Sequence, residues 1–275
     1  MKIDAHVHAF FDESSLFQSY PKRTDTDLID YLDQNGMDMA VMLPIAPYDR
    51  NETVQDICRQ HPHRIIGFCS IHPTFFRYGD PAPQTQLRRL IIIEKFRGLK
   101  IHPRIQQFSL KDPRVYGLLY EAARLNIPVV IDGVRHGSSL PALEADLREI
   151  DAYASIFYDL PIIIAHLGGE YLYDMVDIAR QRPNVFLDLS WIADFEAKHY
   201  YGRPDRANAI EYAVKTLAPY YKLIYGSDYP EDSALTVRSF YEQMFARLHL
   251  SEEQKNAIWS GTIMTILQLY KENIT

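Results

Sequence analysis

Eight short β-rich runs, each followed by a helical pattern, set the terms for this 275-residue chain. The candidate strands are Lys2–Val7, Met39–Leu43, Ile65–Ile71 and Gly98–Ile101, then Pro128–Ile131, Ile162–Ala165, Asn184–Leu189 and Leu223–Tyr225. Helical patterns occupy Asp25–Asn35, Thr53–Gln60, Gln84–Lys95 and Pro113–Leu125, then Leu140–Tyr158, Glu170–Arg182, Asp205–Leu217 and Leu235–Leu248. A terminal pair follows near Glu252–Trp259 and Ile263–Lys271. Strand alternating with helix requires parallel strands joined by right-handed crossovers. Eight such units predict a closed (β/α)8 TIM barrel of the α/β class, with extra C-terminal helices.

Local signals agree with these boundaries. Asn126-Ile127-Pro128 and Arg182-Pro183-Asn184 each stop a helix before a strand. Ser251-Glu252-Glu253-Gln254 reads as a capping box. Pro81-Ala82-Pro83 and Tyr200–Pro204 read as loops. No linker, repeat or low-complexity stretch interrupts the rhythm, so one domain over residues 1–275 is expected.

Composition excludes several classes of function. The net charge of −7 and the absence of a lysine–arginine stripe argue against a nucleic-acid partner. No apolar run approaches the roughly 18–20 residues of a membrane span. With a mature-looking strand beginning at Lys2, no signal peptide is expected. Cys58 and Cys69 have no metal-type spacing and read as buried thiols in a reducing, cytoplasmic compartment. The nineteen tyrosines are scattered, as for packing on the outer surface or an oligomer contact.

Within the barrel the chemistry is expected at the C-terminal strand ends and the loops that follow. The first strand carries Asp4, His6 and His8 on one face and Ile3, Ala5 and Val7 on the other. The fourth ends Gly98-Leu99-Lys100-Ile101-His102, with Lys100 and His102 sharing a face. The fifth ends in Asp132, and the sixth in His166-Leu167-Gly168-Gly169. The seventh ends with Asp188 and Ser190, and the eighth runs into Gly226-Ser227-Asp228-Tyr229-Pro230.

Imidazole and carboxylate together suit a divalent cation with one position left for water or substrate. Such an ion lowers the pKa of its bound water to roughly 7. His6, His8 and Asp228 are the expected ligands. His166 is placed to bind the ion, orient the water or move the proton. Lys100 balances negative charge on the substrate, and Asp4, one pleat below His6, supports the site without binding the ion. Competing readings are a helix N-cap for Asp228 and a backbone-bonded core residue for His166. His102 divides between site residue and turn residue before Pro103. Arg104, Arg135 and Tyr229 are candidate substrate contacts.

The set Ile3-Asp4-Ala5-His6-Val7-His8, Gly98-Leu99-Lys100-Ile101-His102-Pro103, Ala165-His166-Leu167-Gly168-Gly169 and Gly226-Ser227-Asp228-Tyr229-Pro230 resembles the amidohydrolase superfamily. More narrowly it is similar to the amidohydrolase-2 branch, which includes the aminocarboxymuconate-semialdehyde decarboxylase relatives. The four motifs run in the family's order from residue 3 to residue 230. The resemblance implies a distorted barrel with one or two divalent ions at its mouth, zinc first and manganese as the alternative. It implies hydrolysis of an amide, lactone or ester bond or, in some members, non-oxidative decarboxylation. It also implies a homodimer as a common state.

One position departs from the family pattern. The branch usually carries a metal-ligating histidine at the end of the fifth strand, where this chain has Asp132. Three accounts stay open: Asp132 ligates the ion itself, His136 swings in from the loop, or the ion site is weakened. The expected activity is a metal-dependent hydrolase of a small anionic substrate, with Asp228 or His166 handling the proton. A decarboxylase of the same family and a barrel that only binds its ligand are the alternatives.

Overall fold

The alternation of strand and helix is realised in a computed structural model that describes residues 1–8, 23–75, 79, 81–134, 147–191, 205–230 and 234–269. The strands are β1 (Ile3–Val7), β2 (Met39–Met42), β3 (Ile65–Gly67), β4 (Cys69–Ser70) and β5 (Leu99–Ile101). β6 (Val129–Ile131), β7 (Ile162–Ile164), β8 (Val185–Asp188) and β9 (Leu223–Ile224) complete the set. Every paired neighbour is parallel, in the orders β1-β2-β3 and β4-β5-β6-β7-β8-β9.

Two joints turn these sheets into one ring. β3 and β4 are halves of the candidate strand Ile65–Ile71, parted at Phe68, the first half pairing with β2 and the second with β5. At the other joint the first and last strands meet. The Ala5 N–H donates to the Tyr225 carbonyl at 3.0 Å, the Asp228 N–H to that of His6 at 2.9 Å, and the His8 N–H to that of Tyr229 at 2.7 Å. The product is the TIM barrel that the eight units require.

Helices α1 (Asp25–Gln34), α2 (Asn51–Gln60), α3 (Pro83–Ile92), α4 (Pro103–Gln106), α5 (Pro113–Arg124) and α6 (Leu147–Ile156) follow the earlier strands. α7 (Leu172–Gln181), α8 (Asp205–Leu217), α9 (Ala234–Arg247), α10 (Glu252–Asn256) and α11 (Thr262–Ile266) follow the later ones. Their starts have chemical causes. Thr24 and Asp27 form a capping box for α1, as Ser251 and Gln254 do for α10. Pro83 opens α3 at its first turn rather than lying in a loop, because its missing N–H is not needed there. Residues 140–146 of the expected helix Leu140–Tyr158, and the expected loop Tyr200–Pro204, lie outside the described residues.

The terminal pair departs from its expectation. α10 runs through a π-helical turn, Ala257–Gly261, straight into α11, because Gly261 keeps helical dihedrals (φ −58°) and does not break the chain. Ile263, Met264, Ile266 and Leu267 thereby pack with Ile3, Val41, Ile66, Phe68, Val130, Ile163 and Ile224 in the barrel interior. A second, larger apolar layer lies between strands and helices. Parallel strands buried on both sides explain the run Ile162-Ile163-Ile164.

β1 breaks its own alternation. Pairing with β2 shifts register between Asp4 and Val7. Ile3 and Ala5 belong to the interior cluster, whereas Val7 belongs to the helix-side layer. Asp4 therefore does not share a face with His6 and His8. Its carboxylate turns to α1, where it accepts the Tyr31 hydroxyl at 2.6 Å, and it also accepts the Ser227 N–H at 2.9 Å. A one-residue irregularity in a strand inverts the parity of what lies beyond it.

Among the described residues no helix is long and apolar enough to cross a membrane. Cys58 and Cys69 are free thiols.

Candidate active site

β1 delivers two imidazoles past its irregularity, and both rings are pinned from behind. Nδ1 of His8 lies 2.7 Å from the Leu43 carbonyl, which can only accept, so that nitrogen carries the proton. Nδ1 of His6 lies 2.8 Å from Oδ2 of Asp188 and 3.0 Å from the Ser190 hydroxyl. In their neutral forms both rings turn an Nε2 lone pair toward the barrel mouth. Burial, then the charge of Lys100, lowers the His6 pKa to about 4, so its ring is neutral near pH 7.

The two Nε2 atoms stand 3.2 Å apart, and Oδ1 of Asp228 stands 3.2 Å from the first and 3.1 Å from the second. Three electron-pair donors facing one another with no proton to share are not a hydrogen-bond network. They are the geometry of ligands around a cation, whose tetrahedral edges measure about 3.3–3.4 Å for zinc. The residues present therefore fit a divalent ion, with a further position for water or substrate. Burial would raise the Asp228 pKa, but the His8 contact and the neighbouring imidazoles outweigh it and hold the group well below the carboxylate range.

Asp188 organises the other side of His6. Its Oδ1 accepts the backbone N–H groups of His166 at 2.9 Å and of Ser190 at 3.1 Å, and the Ser190 hydroxyl. Burial opposes its ionisation, yet His6, His166 and Ser190 together hold its pKa well down. The Ser190 hydroxyl touches Nδ1 of both His6 (3.0 Å) and His166 (2.9 Å). His6, His166 and Asp188 also lie close enough to share an ion. Since that hydroxyl already lies between them, they make a hydrogen-bonded support.

His166 sits in a left-handed run, with φ of 59° at His166, 51° at Leu167 and 80° at Gly168. Such strain concentrates at functional positions. Nδ1 of His166 faces the Ser190 carbonyl at 3.1 Å, and its Nε2 faces Oδ1 of Asp132 at 3.5 Å. Gly226 leaves room for the first imidazole, since a Cβ there would stand 2.7 Å from Cβ of His6.

The remaining expected residues fall as follows. Lys100 is fully buried, and burial lowers its pKa against the opposing pull of Asp132, Asp188 and Asp228. His102 is the N-cap of α4: its Nδ1 accepts the Ile105 N–H at 3.3 Å and also lies 3.3 Å from Oδ2 of Asp132. Burial, then Arg104 and Lys100, pushes the His102 pKa well down. Asp132, expected among the ligands, belongs to neither group of facing ligand atoms. Tyr229 stacks on Tyr31 at 4.4 Å and lies in the apolar layer behind the strands. Arg135 and His136 lie outside the described residues. Asp188 and Ser190 stood at a strand end in the sequence without a role. Their signal was parity, since Asp188 shares the inward face of β8 with Phe186.

A family model described as amidohydrolase matches residues 3–269. Among curated proteins, none matches the sequence. Solved structures resemble the fold over nearly all of both chains. A probable 2-pyrone-4,6-dicarboxylic acid hydrolase of Acinetobacter baumannii, solved with citric acid bound, is 15% identical with a TM-score of 0.68, covering 97% of this chain and 99% of its own. A 2,6-dihydroxybenzoate decarboxylase of Rhizobium is 14% identical with a TM-score of 0.68, covering 98% and 99%. An amidohydrolase of Burkholderia multivorans with bound zinc is 17% identical with a TM-score of 0.64, covering 98% and 99%. At these identities the likeness is one of fold.

Proposed function

The chain belongs to the amidohydrolase family of enzymes, and from that premise we propose that it is a metal-dependent hydrolase cleaving an amide, lactone or ester bond of a small anionic substrate. One observation carries the reading: Nε2 of His6, Nε2 of His8 and Oδ1 of Asp228 face one another within 3.2 Å, while the far nitrogens of both rings are held as donors. Two imidazoles and a carboxylate suit zinc. A divalent ion held there supplies Lewis acidity and an activated water.

The chain's own groups do the rest. Asp188 and the Leu43 carbonyl fix the tautomers and directions of the two rings. Asp228 keeps its second oxygen for a proton, and His166 offers Nε2 as the other proton carrier. Lys100 and Arg104 draw the substrate's negative charge into the mouth. The same groups serve a second reading, non-oxidative decarboxylation, in which His166 returns a proton to carbon. Product analysis separates the two, because only decarboxylation releases carbon dioxide.

The test combines metal analysis of the purified protein with a panel of carboxylated lactones, esters and amides. His6→Ala and Asp228→Ala are expected to lose both bound ion and turnover. Full occupancy with unchanged turnover in both variants overturns the reading.

A further inference from the structure

The carboxylate of Asp132 is fully buried, yet neither oxygen has a hydrogen-bond partner among the described residues. Nζ of Lys100, equally buried, has none either. Nε of Arg104 is also without one, although it stands 3.6 Å from Oδ2 of Asp132. Charged groups left this way are costly, and a fold retains them where something else meets them.

Among the described residues, the two imidazoles nearest Asp132 offer it no donor in their neutral forms. Nδ1 of His102, 3.3 Å away, already accepts the Ile105 N–H. The His166 proton at Nδ1 points to the Ser190 carbonyl, so in the neutral ring Nε2 is another acceptor. A metal ion is a poor match, because the Arg104 guanidinium already stands 3.6 Å from this carboxylate. Asp132 also shares no group of facing ligand atoms with His6, His8 and Asp228.

We propose that Asp132 is a specificity residue rather than a metal ligand: it accepts a hydrogen bond from a hydroxyl or N–H on the substrate, next to a carboxylate held by Lys100 and Arg104. The substrate class is thus a carboxylate with a donor on the neighbouring carbon. This rests on the reading of the barrel mouth as a site for a small anion. It assigns the strand-end aspartate to the substrate and leaves the ion three protein ligands.

Calorimetric titration of zinc-loaded protein with mandelate and with phenylacetate, which differ in one hydroxyl, tests it. Mandelate is expected to bind about tenfold more tightly or better, the worth of one hydrogen bond to a charged acceptor. In Asp132→Ala the ratio falls to about one while zinc content stays at the wild-type level. Asp132→Asn, which keeps an uncharged acceptor of the same shape, lowers the ratio part of the way and guards against a folding defect in the alanine variant. Equal affinity for the two acids, or binding of neither, overturns the proposal. So does a preference that survives in Asp132→Ala, or loss of zinc from that variant. Repeating both titrations on chelator-treated protein separates the two readings. A preference that depends on Asp132 but not on zinc leaves this proposal standing even if the hydrolase reading fails.

Discussion

At Nδ1 of His6 the ring meets Asp188 and Ser190, and what happens at Nε2 depends on that contact. A carboxylate behind a ligating imidazole fixes its tautomer and raises its basicity, and losing it typically costs 10–100-fold in metal affinity. Asp188→Ala is accordingly expected to weaken zinc binding by about that factor, measured by competition with a chromogenic chelator, with the fold retained. At this scale the sequence was partly legible. His6 and His8 announce themselves by spacing, and Asp228 by its place after the last strand. Asp188 is hidden because its partner lies 182 residues away. Asp4 misled, because a register shift in a five-residue strand leaves no mark in the letters.

Between β7 and α7 the backbone runs left-handed through His166, Leu167, Gly168 and Gly169. This turn brings the His166 imidazole against the first-strand pair, with ring centroids of His6 and His166 5.0 Å apart. A Cβ on Gly168 would stand 2.3 Å from Cγ of Met175 in α7, and its φ of +80° already disfavours a side chain. Gly168→Ala is therefore expected to cost roughly 1–3 kcal/mol in urea unfolding and to lower turnover more than zinc content. The motif His166-Leu167-Gly168-Gly169 was visible as a turn, whereas its strain was not, because it depends on the tight packing of Met175. Likewise α4 is four residues long, too short to show a period, and only Pro103 after His102 hinted at it.

The molecule as a whole couples pH to stability through its buried mouth. In metal-free protein His6 is held at about 4 against an ordinary 6.5, and His102 is also held well below that ordinary value. The unfolded chain binds these protons and the folded one resists them, so stability is lost as pH falls below 6.5. Asp4 acts in the opposite sense: burial raises its pKa to about 6 from 3.8, so its contribution is present at low pH and is lost as pH rises through 6. One carboxyl offsets one imidazole, and the second imidazole leaves a net loss on acidification. Below 3.8 Asp188 and Asp228, both lowered in the fold, steepen that loss as they take up protons. Denaturant midpoints in metal-free protein are expected to decline from pH 6.5 downward, and more steeply in Asp4→Asn, which removes the opposing group. A flat profile in both proteins contradicts this. The eight-unit plan was legible because strand and helix periods differ along the chain. The stapling of the barrel floor by α10 and α11 was not, since it turns on one glycine that stays helical.

The joint between the first and last strands has a consequence for how the protein comes into being. Two of the three facing atoms stand at the end of the first strand, and the third follows the last strand, 220 residues beyond His8. A growing chain with most of its strands already translated therefore still lacks one of the three. An ion that needs all three would meet a closed ring, as a lock on the finished barrel rather than a seed for it.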